Sequence, residues 1–200
     1  MTEPWAIDLK ESARDFLETV YPKIKDWFGD GELIPVELVT KSDMAKKLDM
    51  YAGIDNWYIV TDKGIRGLSS RVQYDKDWGT FTVRRQRLPL GTRTEYAKLL
   101  HAIENDYLYP YWTFQSYLNK REKDLDYGER KDLLNAAMCK TKDLISYIKS
   151  GERGKDFDIR EVTTRGAANF FTVWWGDLRE RHEVKIYDKN NIQKMKKRKT

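Results

Sequence analysis

Between Gly53 and Arg87 the chain reads as three extended runs separated by turn signals, and this constrains its fold more than anything else in it. Ile54 to Val60 is a branched and aromatic run entered through Gly53, Asp62-Lys63-Gly64 is a turn, and Asp75 to Gly79 separates strands expected at 65 to 74 and 80 to 87. Three strands in succession predict an antiparallel meander. Glu32 to Thr40 is also β-rich, but Pro35 cannot donate to a ladder, so an edge strand or extended segment is expected there.

Helices are expected on either side of these strands. From Ala6 to Phe28, apolar residues recur at Leu9, Ala13, Phe16, Leu17, Val20, Ile24 and Trp27, the spacing of one helix face. Pro22 lies inside that pattern and predicts a kink or a division into helices over 8 to 21 and 22 to 28. Ser42 to Met50 reads as a short capped helix. Thr92-Arg-Thr-Glu95 has the form of a capping box opening a helix with Leu99, Leu100 and Ile103 on its apolar side. Glu129 to Ser150 reads as a long amphipathic helix stopped by Gly151, and strands are expected near 157 to 163, 168 to 175 and 182 to 187. The aromatics of Tyr107 to Tyr117 have two readings: packing of helices on the sheet, or a base-stacking surface. The predicted class is α+β, with a central mixed sheet flanked by helices. The boundary falls at Ser150-Gly-Glu-Arg-Gly154, giving a core over 1 to 150, a β-rich C-terminal portion over 151 to 187 and a basic tail over 188 to 200.

Charge matters by location more than by total. The net charge is +5, but residues 188 to 200 alone hold six basic residues against Asp188. Within the body, residues 1 to 62 carry seven basic and thirteen acidic side chains, whereas 63 to 100 carry nine basic and three acidic. This asymmetry places an arginine-rich surface on the strands after Asp55. The single cysteine, Cys139, excludes a disulfide framework within one chain. The N-terminus has no signal-type apolar core and no window approaches eighteen apolar residues, so a soluble, cytoplasmic protein is expected.

The chemistry-bearing residues cluster in the same region. Asp55 enters one strand, Ser69-Ser70-Arg71-Val-Gln73 lies on the next, and Arg84, Arg85 and Arg87 lie on the third. Asp55 has a metal-ligand reading and a turn-capping reading. Strand alternation puts Arg85 and Arg87 on one face and Arg84 with Thr82 on the other, either contacting phosphate or forming cross-strand ion pairs. Ser69-Ser70 lacks a nucleophile-elbow pattern, and Gly64-Ile-Arg-Gly67 lacks the lysine of a phosphate-binding loop. His101 and His182 are the only histidines, so a histidine metal site would need both.

A long helix, a strand entered through Gly-Ile-Asp55, a strand carrying Arg71-Val-Gln73, a further strand, and a helix beginning Glu95-Tyr-Ala-Lys98 together resemble the core of the PD-(D/E)XK phosphodiesterase superfamily, over roughly residues 5 to 105. The resemblance implies a nuclease-like core acting on nucleic acid with Mg²⁺. Asp55 would be the metal-ligating acid; Arg71-Val-Gln73 stands where the superfamily has Glu-x-Lys, with Gln73 in the lysine place and no acid in the glutamate place. Glu95 and Lys98 are then candidates for a displaced acid and ammonium, making Asp55 and Glu95 the metal ligands, with Glu11, Glu37 and Asp49 as other acids in reach. Arg71, Arg84, Arg85 and Arg87 would contact phosphate. The expected function is a metal-dependent nucleic-acid phosphodiesterase or a catalytically degenerate nucleic-acid-binding relative. The alternative is a small phage or mobile-element accessory protein that binds and modulates a protein partner; an enzyme acting on small nucleotides would use the same chemistry.

Overall fold

An eleven-residue strand, Gly64–Tyr74, is the longest among the described residues, and its Leu68 and Val72 belong to a core on one face of the sheet. The computed structural model of the chain describes residues 11–36, 52–60, 64–74, 77–87, 94–162 and 168–189, without the side chains of Val60 and Arg87. The helix expected over Ser42 to Met50, the acids Glu37 and Asp49, Thr92 and the last eleven residues of the basic tail lie outside the described residues.

Among the described residues nine strands follow in order: β1 (Glu32–Pro35), β2 (Asn56–Val60), β3 (Gly64–Tyr74), β4 (Thr80–Arg87), β5 (Trp112–Leu118), β6 (Leu133–Lys140), β7 (Asp158–Val162), β8 (Ala168–Trp174) and β9 (Val184–Asp188). Helical segments are α1 (residues 11 to 27), α2 (Glu95–Glu104), α3 (Thr141–Ser150) and α4 (Trp175–Arg179). A six-stranded mixed sheet has the order β1-β2-β3-β5-β6-β9, and a three-stranded sheet has the order β4-β8-β7. The fold is α+β, as the sequence predicts.

The meander exists, but it is made by β1, β2 and β3. Pro35 sits in edge strand β1 opposite Asn56, where its missing N–H breaks no inner ladder. β4 does not extend the meander. It crosses to the second sheet and pairs with β8, leaving β3 to pair in parallel with β5. The long helix expected over Glu129 to Ser150 is also corrected: Leu133–Lys140 is β6, between β5 and β9, and only Thr141–Ser150 is helical. The reason is burial on both faces, since a central strand reads as a continuous apolar run and not as an alternation.

Pro22 changes the helix type without separating two helices. The turn before it, Phe16–Val20, widens to π geometry, which relieves the clash of the proline ring with the preceding turn and leaves the chain helical through it. α1 buries Phe16, Val20 and Ile24 against Leu68, Val72, Phe114, Leu118, Leu133 and Met138. Each such side chain removed from water contributes about 1.5–3 kcal/mol. On the opposite face Tyr117, Ala137, Cys139 and Val184 pack with α3, α4 and Phe81 and Val83 of β4. Even-numbered residues of β3 thus face α1, and odd-numbered ones face the second sheet.

Candidate functional site

Asp55 enters β2 with its backbone already committed. Its N–H donates to the Leu68 carbonyl (3.0 Å) and its own carbonyl accepts from Val36 N–H (3.0 Å). Gly67 on β3 is required here because a Cβ would meet the Ile54 side chain at 2.8 Å. This close approach brings the Asp55 carboxylate over β3, where Oδ2 accepts the Ser70 N–H (2.6 Å) and the Ser69 hydroxyl (3.3 Å). The two serines therefore hold the acid in place. Asn56 adds a bond from Nδ2 to the Ser70 hydroxyl (3.1 Å) on the other side of the strand.

Arg71 is the centre of the cluster. Its guanidinium donates to the Thr82 carbonyl (2.6 Å) and hydroxyl (2.9 Å) on β4 and to Glu95 Oε2 (2.8 Å) on α2. Burial disfavours its charge, but the adjacent Glu95 carboxylate and, beyond it, Asp55 outweigh that, and its pKa lies above the ordinary arginine value. The same Glu95 oxygen accepts the Arg84 N–H (2.9 Å). The Thr82 hydroxyl donates a hydrogen bond to Gln115 Oε1 (3.1 Å), while the buried Gln115 Nε2 has no hydrogen-bond partner. Phe170 of β8 lies between two cations, with Arg71 and Arg84 at 5.7 and 5.6 Å from its ring centroid.

The sequence-nominated residues thus divide. Asp55, Arg71 and Glu95, from three separate elements, form one electrostatic group. Gln73 lies two residues beyond Arg71 on the same face of β3, aligned with Tyr117. Lys98 lies on α2 one turn beyond Thr94 and Glu95, its N–H bonded to the Thr94 carbonyl (2.9 Å). The cap of α2 is Thr94, whose hydroxyl accepts from Ala97 N–H; Glu95 is the first helical residue, so its carboxylate reaches Arg71 and Arg84 in place of folding back as a capping-box acid would. β4 has a register shift between Arg84 and Gln86, so Arg85 bulges and the expected alternation across Arg84, Arg85 and Arg87 is interrupted. Arg85 is exposed, 5.8 Å from the Phe171 ring centroid. Arg87 aligns with Ala168 at the end of the ladder.

Sequence reasoning missed Gln115, which stands beside Arg71 in the parallel β3–β5 ladder, and Thr82 and Phe170, which reach the cluster through β4 leaving the sheet and β8 pairing with it. Among the described residues no group of three or more His, Cys, Asp or Glu side chains is arranged to hold a metal ion. No described helix is long and apolar enough to cross a membrane. Comparison with protein-family models, curated proteins and solved structures finds no match to this chain.

Proposed function

We propose that this protein binds nucleic acid through the Arg71 cluster, as a catalytically degenerate relative of the PD-(D/E)XK phosphodiesterases. The observation that carries this reading is the Arg71 guanidinium lying 2.8 Å from Glu95 and within the electrostatic reach of Asp55. A cation thus stands among the carboxylates for which the resemblance implies Mg²⁺. The donor set suits an arginine better than the metal. Mg²⁺ takes hard oxygens in octahedral array, whereas here Glu95 Oε2 already accepts from Arg71 and Arg84, and Asp55 Oδ2 from Ser69 and Ser70. What remains is a partly exposed arginine group on β3 and β4, which is chemistry for phosphate oxygens.

The test is fluorescence anisotropy with labelled single-stranded and duplex oligonucleotides across a salt series, together with incubation in Mg²⁺ and Mn²⁺. Binding that weakens with salt and is reduced in Arg84→Ala and Arg85→Ala is expected, with the oligonucleotide left intact. Cleavage that Asp55→Ala abolishes would restore the active-nuclease form of the reading, and salt-independent or absent binding would falsify both forms.

A further inference from the structure

Two hydrogen bonds at the Arg71 cluster end on one atom. Glu95 Oε2 accepts from the Arg71 guanidinium (2.8 Å) and from the Arg84 N–H (2.9 Å). Among the described residues β4 is an edge of its sheet, paired with β8 on one side. On its other side the Thr82 carbonyl is taken by Arg71 and the Arg84 N–H by Glu95, so an ion pair from β3 and α2 stands where a further strand would pair.

Three features make the carboxylate the exchangeable member of this set. The guanidinium does not depend on it, because the Thr82 carbonyl (2.6 Å) and hydroxyl (2.9 Å) hold Arg71 from β4. The helix does not depend on it either, since α2 is capped by the Thr94 hydroxyl and Glu95 is its first residue. Last, solvent reaches the pair, with the Arg71 and Glu95 side chains 29% and 28% exposed. Asp55 is the contrast: Ser69 and Ser70 both donate to its Oδ2, and its backbone is bonded to Leu68 and Val36. It is therefore Glu95 that can turn away. A backbone N–H left without an acceptor is costly, so whatever displaces the carboxylate must accept from Arg84 as well as from Arg71. A phosphate oxygen does both, because arginines and backbone N–H groups are common phosphate donors. A backbone phosphate also carries a single negative charge, as the carboxylate does, so the exchange leaves the charge facing the two arginines unaltered.

We infer that Glu95 is an internal stand-in for the ligand: its Oε2 holds the place of a phosphate oxygen between the Arg71 guanidinium and the Arg84 N–H, and nucleic acid binds by displacing it. This rests on the reading that the arginine cluster binds phosphate, and it adds which donors the phosphate meets and what keeps them occupied until it arrives.

Fluorescence anisotropy on the full chain, with labelled single-stranded and duplex oligonucleotides at physiological salt, compares Glu95→Ala with Glu104→Ala. Each variant removes one acid, but Glu104 pairs with Lys149 and lies nine residues further along α2, roughly 13.5 Å away and beyond the Debye length of about 8 Å. Glu95→Ala is expected to bind about tenfold or more tightly than the wild-type chain, as for one hydrogen bond to a charged group. Glu104→Ala is expected to stay within about twofold, its charge being screened from the site. On the wild-type chain, saturating oligonucleotide is expected to shift the Arg84 amide cross-peak in a nitrogen–proton correlation spectrum, a readout that needs no variant. Equal tightening in both variants, or unchanged or weaker binding by Glu95→Ala, overturns the displacement while leaving phosphate binding standing. An Arg84 amide unmoved at saturation overturns it too. Absence of binding by the wild-type chain and by Glu95→Ala alike removes the displacement and the underlying reading together.

Discussion

Two ionic clusters flank β3, one on each face, and they are built differently. On the side of α1, Asp15 (2% exposed) accepts from Lys131 Nζ (2.6 Å) and the Tyr74 hydroxyl (2.9 Å), with Glu11 and Glu122 completing the lysine's surroundings and Arg121 held by Glu11. On the side of the second sheet, Arg71 joins Glu95 with both side chains more than a quarter exposed, beside Arg84. In the first cluster Asp15 and Lys131 are shut away together, with Glu11 close to burial and Glu122 at the rim. In the second, solvent reaches both the arginine and the glutamate. A closed set fastens α1 and the 119–132 segment to the sheet; an open one is left able to meet a ligand.

Experiments on the two clusters should therefore separate stability from binding. The largest effect is expected for Asp15→Ala, which removes two hydrogen bonds to a charged group, from Lys131 Nζ and the Tyr74 hydroxyl: a loss of about 3–5 kcal/mol in urea unfolding, with the oligonucleotide affinity of the folded protein unchanged. An equal loss of affinity would show that the two faces are not separable. Glu95→Gln should cost about 1.5–3 kcal/mol, the worth of a hydrogen bond to a charged group, and should tighten oligonucleotide binding because Arg71 loses its internal counter-charge. Weaker binding by that variant would mean that Glu95 serves the ligand directly. Arg85→Ala, at an exposed bulge, is expected to move stability by less than about 0.5 kcal/mol while lowering the slope of log affinity against log salt by about 0.7–0.9.

The smallest effect within the ordinary pH range concerns Lys131. Burial opposes its charge, but Asp15 and Glu122 prevail and hold its pKa above the ordinary 10.5. A raised folded value means that the contribution is complete below about pH 10.5 and is lost as pH rises through the higher folded value. Alkaline unfolding monitored by circular dichroism should thus show a stability decrease above that pH which Asp15→Ala no longer displays; the same decrease in the variant would assign it to other groups.

How much of this was legible in the sequence depended on locality. β2 and β3 could be read because Gly53 and the Gly64 turn punctuate an alternating, branched run, and edge strand β1 because Pro35 forbids an interior place. The C-terminal strands β7, β8 and β9 fell within a few residues of expectation. β6 could not be told from a helix, because Leu133 to Cys139 is apolar toward both cores and the true helix begins directly after it at Thr141. At the site, Asp55, Arg71 and Glu95 were identifiable as candidates, but not their mutual arrangement. That arrangement depends on Thr94 in place of Thr92 capping α2, and on β4 crossing to a partner some ninety residues away in sequence. Pairing at such separation leaves no periodic trace in either segment.

That crossing has a further bearing on how the chain can be divided. β4, from the middle of the sequence, is completed by β8, and β6 is completed by β9, so each sheet borrows a strand across the Ser150 to Gly154 connection. Separating the polypeptide there would expose the hydrogen-bonding edges of β4 and β6 at once, and bare edges of that kind recruit other chains. Expression of either fragment alone should yield aggregate, whereas co-expression of the two halves gives each open edge its complement.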